Sequence, residues 1–145
     1  YILEKYIPGK ELRCLLINGK VIGVHQSEYG ASVAEDRQLK RISYMQDNWD
    51  ETIILMSQTV ANILNLGFVA VDFMIDDLGR IYVLEVNTLP GLKWFHAPTS
   101  GPIVDVARLF LESVVESMSL NSRRSPGTVM QAYTGEYNRP ADMLT

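Results

Sequence analysis

Two segments decide how this chain folds: Phe68-Val69-Ala70-Val71-Asp72-Phe73-Met74-Ile75 and, five residues on, Ile81-Tyr82-Val83-Leu84-Glu85-Val86-Asn87-Thr88. Both are apolar on both faces and rich in β-branched and aromatic residues, as strands in the middle of a sheet are. Asp76-Asp77-Leu78-Gly79-Arg80 between them supplies turn residues, so the pair reads as an antiparallel hairpin. Asp72 and Glu85 interrupt that pattern. A two- or four-residue loop centred on Leu78 sets them on one face, at or near opposite positions, and strand alternation adds Asn87. A three-residue loop with one bulge would set them on opposite faces. Neighbouring carboxylates in an apolar sheet repel each other and lose hydration unless an arginine, a shared proton or a metal compensates. Two carboxylates and an amide oxygen form a hard, all-oxygen set suited to magnesium holding nucleotide phosphates. The alternative is that one carboxylate pairs with Arg80, Lys93 or Arg13 while the other faces solvent.

Towards the N-terminus, residues 1–8 read as extended and end at the turn pair Pro8-Gly9. Apolar runs at 11–17 and 20–25 flank Asn18-Gly19, a strong type I′ hairpin signal. The expected register pairs Ile17 with Lys20, Glu11 with Gln26 and Arg13 with Val24, placing His25 on the face opposite Glu11, packed as a core residue. Residues 27–49, which contain Arg37, Lys40 and Arg41, read as a long loop with short helices. Asn48 to Glu51 resembles a capping box. The apolar set Ile53, Met56, Val60, Ile63 and Leu64 then predicts a helix stopped by Gly67. Ser100 or Gly101 caps a second helix with Pro102 at its first position and a buried stripe of Ile103, Ala107, Phe110, Val114 and Met118. The expected class is α+β: a mostly antiparallel sheet of hairpins packed on two main helices over residues 1–118, with 119–145 a polar tail or irregular extension.

Composition bounds the function. With 145 residues, 47% of them apolar and 21% charged, the chain fits one globular domain rather than a disordered or collagen-like one. The net charge of −4, with no basic cluster beyond Arg123-Arg124, argues against a nucleic-acid partner. No apolar run reaches membrane-span length. Cys14 stands alone, so there is no internal disulfide framework, and the expected compartment is reducing and cytoplasmic. In a strand, Cys14 reads as a small core hydrophobe. The chain opens on Tyr1-Ile2-Leu3, without an initiator Met or a leader, as if in mid-strand.

Val71-Asp72-Phe73 followed by Tyr82 to Gly91, with its Glu-Val-Asn-Thr-Leu-Pro-Gly string, resembles the metal-binding hairpin of ATP-grasp carboxylate–amine ligases, and the fold expected is the C-terminal half of an ATP-grasp fold. The nearest groups are D-alanine–D-alanine ligases and the glutathione-synthetase and glutamate-ligase branch. The resemblance implies that Asp72, Glu85 and Asn87 hold one or two magnesium ions, with manganese as a substitute, against ATP phosphates. Residues 4–13 resemble the hinge strand: main-chain groups around Glu4, Lys5, Tyr6 and Ile7 would meet the adenine, and Glu11 would accept from ribose hydroxyls. The residues alone equally allow a solvated Glu4-Lys5 pair and a Glu11 salt bridge to Lys10 or Arg13.

Arg13 resembles a strand arginine of the glutamate-ligase branch that binds phosphate or acyl phosphate, which makes it the candidate catalytic residue. Pairing with Glu11 is its alternative. The D-alanine ligases carry an arginine two residues before the metal Asp, where this chain has Ala70. That departure argues against the branch or moves the oxyanion role to Arg13. His96, after Lys93-Trp94-Phe95, lies where the family recognises its acceptor.

The resemblance spans residues 1 to about 118 and lacks the lysine-bearing, Gly-rich first subdomain. The chain is therefore expected to be part of a longer ATP- and magnesium-dependent ligase, inactive alone, that joins a carboxylate to an amine through an acyl phosphate. Its expected partners are ATP, small carboxylate and amine substrates and the missing N-terminal subdomain; a homo-oligomer is compatible with this. A nucleotide- or metal-binding regulatory module of the same fold is the alternative.

Overall fold

The structure, a computed structural model, describes residues 5–28 and 40–122. Five strands, β1 (Gly9–Ile17), β2 (Lys20–Glu28), β3 (Lys40–Ser43), β4 (Phe68–Asp76) and β5 (Ile81–Asn87), form one antiparallel sheet in the order β3-β2-β1-β4-β5. Helix α1 (Glu51–Ile63) crosses between β3 and β4, and the short α2 (Lys93–His96) and the longer α3 (Val106–Ser122) follow β5. The α+β class and its hairpins are thus as expected. The chain divides into two compact units, Tyr1–Ser113 and Val114–Thr145, and the sheet belongs to the first.

Asn18 (φ 48°) and Gly19 (φ 73°) close the first hairpin with the positive angles a type I′ turn requires. A bulge between Leu15 and Leu16 then shifts the register by one residue, so Glu11 lies opposite Ser27 and Arg13 opposite His25. The expected Glu11–Gln26 and Arg13–Val24 pairs are corrected accordingly, and His25 joins the face of Arg13.

Part of the expected long loop is ordered as β3 and a 3-10 turn at Gln46–Asn48, which places Lys40 and Arg41 on a strand. Arg37 lies outside the described residues. The outer edge of β3 is covered by residues 99–100: Thr99 N–H donates to the Arg41 carbonyl (2.8 Å) and Ser43 N–H to the Ser100 carbonyl (2.9 Å). Gly101 makes this approach at φ 90°, where a Cβ would stand 1.9 Å from the Ser43 carbonyl oxygen.

The cap of α1 is Asp50, not Asn48; its carboxylate accepts from Thr52 N–H (2.8 Å) and Ile53 N–H (3.2 Å). The residue that stops the helix, just past its C-cap Leu64, is Asn65 rather than Gly67. Asn65 is left-handed (φ 52°), and Leu66 N–H reaches the Ala61 carbonyl (2.9 Å) while Asn65 N–H reaches that of Asn62 (3.1 Å), a Schellman motif. The buried line is Ile53, Ser57 and Ala61, whereas Ile63 and Leu64 are exposed. For α3 the start is Val106, with Asp105 accepting from Arg108 N–H (3.1 Å), not Pro102. Val106 is its buried residue, and Ile103, Ala107, Phe110, Val114 and Met118 are exposed. Ser119 is still helical; residues 123–145 lie outside the described residues.

The two sheet faces differ. Against α1 pack Leu12, Cys14, Leu16, Val21, Val24, Val69, Val71 and Phe73 with Ile53 and Ala61. On the other face Leu15 and Ala70 pack with Phe95 and Val106 at one end only. Gly23 makes room for Phe95, since a Cβ there would meet its ring at 2.9 Å. Beyond this apolar floor the same face turns polar, and it is there that the singled-out residues gather.

Candidate active site

The hairpin of β4 and β5 closes on a three-residue loop, Asp77-Leu78-Gly79, with Asp76 N–H donating to the Arg80 carbonyl (3.0 Å). Such a loop on its own would put Asp72 opposite Leu84. A bulge between Asp72 and Phe73 takes up Leu84 and restores Glu85 as the partner of Asp72. The expectation that a three-residue loop with a bulge separates the two carboxylates is therefore corrected. Here the bulge is what brings them together.

Register across the whole sheet now places one residue from every strand in a single line: Ser43, His25, Arg13, Asp72 and Glu85. The next line of that face runs Arg41, Ser27, Glu11, Met74 and Tyr82. Neighbouring strands are about 4.8 Å apart, so each line is a row of adjacent side chains. Asn87, opposite Ala70, stands beside Glu85 and donates Nδ2–H to its Oε1 at 2.6 Å.

Arg13 grips Asp72 with both arms of its fork. Nε donates to Oδ1 and Nη2 to Oδ2, each at 2.6 Å. Asp72 is 4% exposed, and this charge-assisted pairing offsets the cost of burying it. The hydrogen bond to Asp72 raises the Arg13 pKa, with charge from Asp72, Glu11 and Glu85 adding to it against the effect of burial. Of the readings open from the sequence, Arg13 thus pairs with Asp72 rather than with Glu11, and Glu85 is exposed. Glu11 lies 3.8 Å from Arg41 Nη1. Among the described residues no three His, Cys, Asp or Glu side chains cluster as a metal site; the third oxygen here is the Asn87 amide. Two carboxylates and one amide on a common face fit a hard divalent cation in donor chemistry.

Of the residues expected at the hinge, Lys5, Tyr6 and Ile7 with Pro8 line an open pocket of about 280 Å³ together with Asp76, Asp77, Leu78, Arg80 and Tyr82. Glu4 lies outside the described residues. Asp76 was not singled out from the sequence, yet it organises this wall. Its carboxylate accepts from Leu78 N–H (3.0 Å), Arg80 N–H (2.9 Å), Arg80 Nε (2.7 Å) and Tyr82 O–H (3.3 Å). Burial works against its ionisation, but those donors hold its pKa below the usual value. The Asp-Asp-x-Gly turn was the signal for it.

His25 is 2% exposed, its ring centroid 4.7 Å from that of Phe95, and neither ring nitrogen has a hydrogen-bond partner among the described residues. Burial, and then the charges of Arg41 and Arg13, push its pKa down to about 4. Lys93 Nζ and the Arg41 guanidinium lie 4.8 Å and 5.9 Å from the Trp94 ring. Cys14 is on the α1 face, and burial pushes its thiol up to about 11, in keeping with a packing role.

This sheet and its β4–β5 hairpin have the fold of the C-terminal part of an ATP-grasp ligase. More narrowly, residues 1–97 match the family described as D-ala D-ala ligase C-terminus, and the chain belongs to that family. It is 30% identical over 105 residues to the D-alanine–D-alanine ligase of Rickettsia bellii, covering 63% of this chain and 32% of that protein. With ligase A of Bacillus cereus it shares 28% over 135 residues, 87% of this chain and 44% of the relative. The Bacillus anthracis D-alanine–D-alanine ligase complexed with ATP superposes with TM-score 0.55 at 26% identity, covering 84% of this chain and 42% of that one. The ATP-grasp ligase PsnB complexed with minimal precursor is similar in fold, at TM-score 0.66 and 14% identity over 77% of this chain and 36% of its own. The chain thus spans less than half the length of these relatives. Ala70 does not exclude the D-alanine ligase family, and the inference drawn from it against that branch is corrected.

Proposed function

We propose that the protein carrying this chain is an ATP- and magnesium-dependent ligase that activates a carboxylate as an acyl phosphate and joins it to an amine. The observation that supports this reading is the row Arg13–Asp72–Glu85 with Asn87 alongside, on one sheet face of a chain in this family. Asp72, Glu85 and Asn87 would hold magnesium, which when bound neutralises phosphate charge and aligns the transfer. Glu11, one step along β1, accepts from a vicinal diol, and the segment around Glu4 to Ile7 meets the base. Arg13 offers a planar, always charged fork to a developing oxyanion. The substrate carboxylate forms a bond to the γ-phosphorus as ADP leaves. The amine then attacks the acyl carbon, loses a proton and expels phosphate. The relatives' names make D-alanine the first acceptor to assay. The rest of the phosphate clamp comes from an N-terminal subdomain, so the 145 residues alone turn over little.

The test is phosphate release by the full-length protein, dependent on both ATP and a carboxylate. Asp72→Asn and Glu85→Gln should each lower it by about 10²-fold or more. Unchanged release in both variants would remove the metal assignment. Nucleotide binding without any release would favour a regulatory module.

A further inference from the structure

The proposed ligands are already paired with one another and with Arg13. Both oxygens of Asp72 are engaged at 2.6 Å, and the Asn87 amide faces Glu85 with its nitrogen. A divalent ion needs lone pairs of Asp72 and Glu85 and the oxygen of Asn87, each within about 2.1 Å for magnesium. A guanidinium held by both oxygens of the same carboxylate takes one lone pair of each and draws their charge, and its own charge repels an ion approaching the others. Arg13 has somewhere to go. Its side chain is 22% exposed against 6% for Asp72, and its other cross-strand neighbour, His25, is kept neutral by burial, so it does not repel a guanidinium moving that way.

We propose that Arg13 is a latch on the ligand set: it and the metal ion exchange places at Asp72, and the released guanidinium transfers to an anionic oxygen of the bound substrate. This rests on the ligase reading above and adds an order to it. Metal without a substrate anion takes from the guanidinium its hydrogen-bonded partner and leaves it only the more distant charge of Glu11, and an anion without metal leaves the Asp72 carboxylate unpaired. The two ligands therefore bind with positive coupling. The amide of Asn87 turns in the same step, presenting its oxygen in place of its nitrogen.

Calorimetric titration of magnesium into the full-length protein tests this. Wild type, Arg13→Met and Asp72→Asn are compared with and without a non-hydrolysable ATP analogue, after subtraction of the magnesium bound by the analogue itself. Without the analogue, Arg13→Met should bind magnesium about tenfold more tightly than wild type, and the gain on adding the analogue should shrink by a similar factor. In wild type the Arg13 Nε–H resonance should move as magnesium is added. Equal or weaker binding by Arg13→Met, or a resonance unmoved at saturating magnesium, overturns the latch. The ligand assignment survives that result as long as Asp72→Asn abolishes binding. If wild type binds no magnesium under either condition, the ligand assignment itself fails and the latch falls with it. Should Arg13→Met not fold, the wild-type resonance decides, with Arg13→Lys expected to fall between wild type and full release.

Discussion

Acidification should destabilise the folded chain through His25. Its pKa of 6.5 in the unfolded chain falls to about 4 in the fold. Between those values the unfolded chain binds the extra proton, so stability falls as pH falls, by about 1.4 kcal/mol per pH unit in mid-window. Integrated from about pH 7.5 to about pH 4.5, the loss is about 2.5 kcal/mol, undiscounted because the ring is essentially buried. The groups around it are Arg41 and Arg13, which oppose its protonation, Asp72, which favours it, and the Phe95 ring. His25→Leu removes the titration and two unpartnered polar atoms at little cost in volume. Near neutrality its unfolding free energy should stay within about 1 kcal/mol of wild type. Near pH 4.5 it should be the more stable protein by about 2 kcal/mol. Urea denaturation followed by Trp49 and Trp94 fluorescence gives both numbers, and NMR titration of the ring gives the pKa directly. Parallel loss of stability in the two proteins, or a ring titrating near 6.5, refutes the reasoning.

Phe95→Ala should cost about 3–5 kcal/mol, because the ring is wholly buried and forms the floor with Leu15, Ala70 and Val106; thermal unfolding measures it. Gly101→Ala combines a positive φ with a Cβ driven into the Ser43 carbonyl and should cost about 3 kcal/mol, whereas Gly79→Ala, at φ 75° in open space, should cost only about 1 kcal/mol. Equal losses in the two glycine variants would contradict the clash. Asp50→Ala should cost about 1 kcal/mol while Asn48→Ala is close to neutral, which paired denaturation curves would separate.

What could be read from the residues was the local chemistry of turns and strands. Asn18-Gly19 demanded its positive angles, and the apolar runs around Asp72 and Glu85 declared a hairpin; only β4 is the central, buried strand expected, since β5 forms the sheet edge with Val83, Leu84 and Glu85 exposed. The failures share a cause. The bulges opposite Leu15 and Asp72 answer to the twist and closure of the whole sheet, and nothing about Ile22 in β2 or Leu84 in β5, the extra residues, announces them. Each moves every following residue to the other face, so one reversed His25 and the other rescued the Asp72–Glu85 pair. Strand β3 escaped because Lys40-Arg41-Ile42-Ser43 has too few apolar residues to read as a strand; its pairing with residues 99–100 is a tertiary contact. The helix ends were missed for a smaller reason. Asp50 and Asp105 compete as caps with nearby Asn48 and Ser100, and only the entry angle of the chain chooses between them.

Under the ligase reading, the arginine that this face requires comes from a neighbouring strand. The resemblance places an arginine two residues before the metal Asp, on the same face of β4. Here that position is Ala70, fully buried against Leu15, Phe95 and Val106, so the apolar floor takes the place of a guanidinium. Arg13 instead reaches Asp72 from β1, and the face keeps one fork beside its buried carboxylate. The change is not neutral for what lies around it. An arginine at 70 would stand opposite Asn87, whereas Arg13 stands between Asp72 and His25, on the side of Glu11. That shift leaves the end occupied by Ala70 and Phe95 apolar and gathers the positive charge in the middle of the row. Under the ligase reading, the oxyanion is then met from the centre of the sheet, and the apolar floor is left to contact the uncharged part of a substrate.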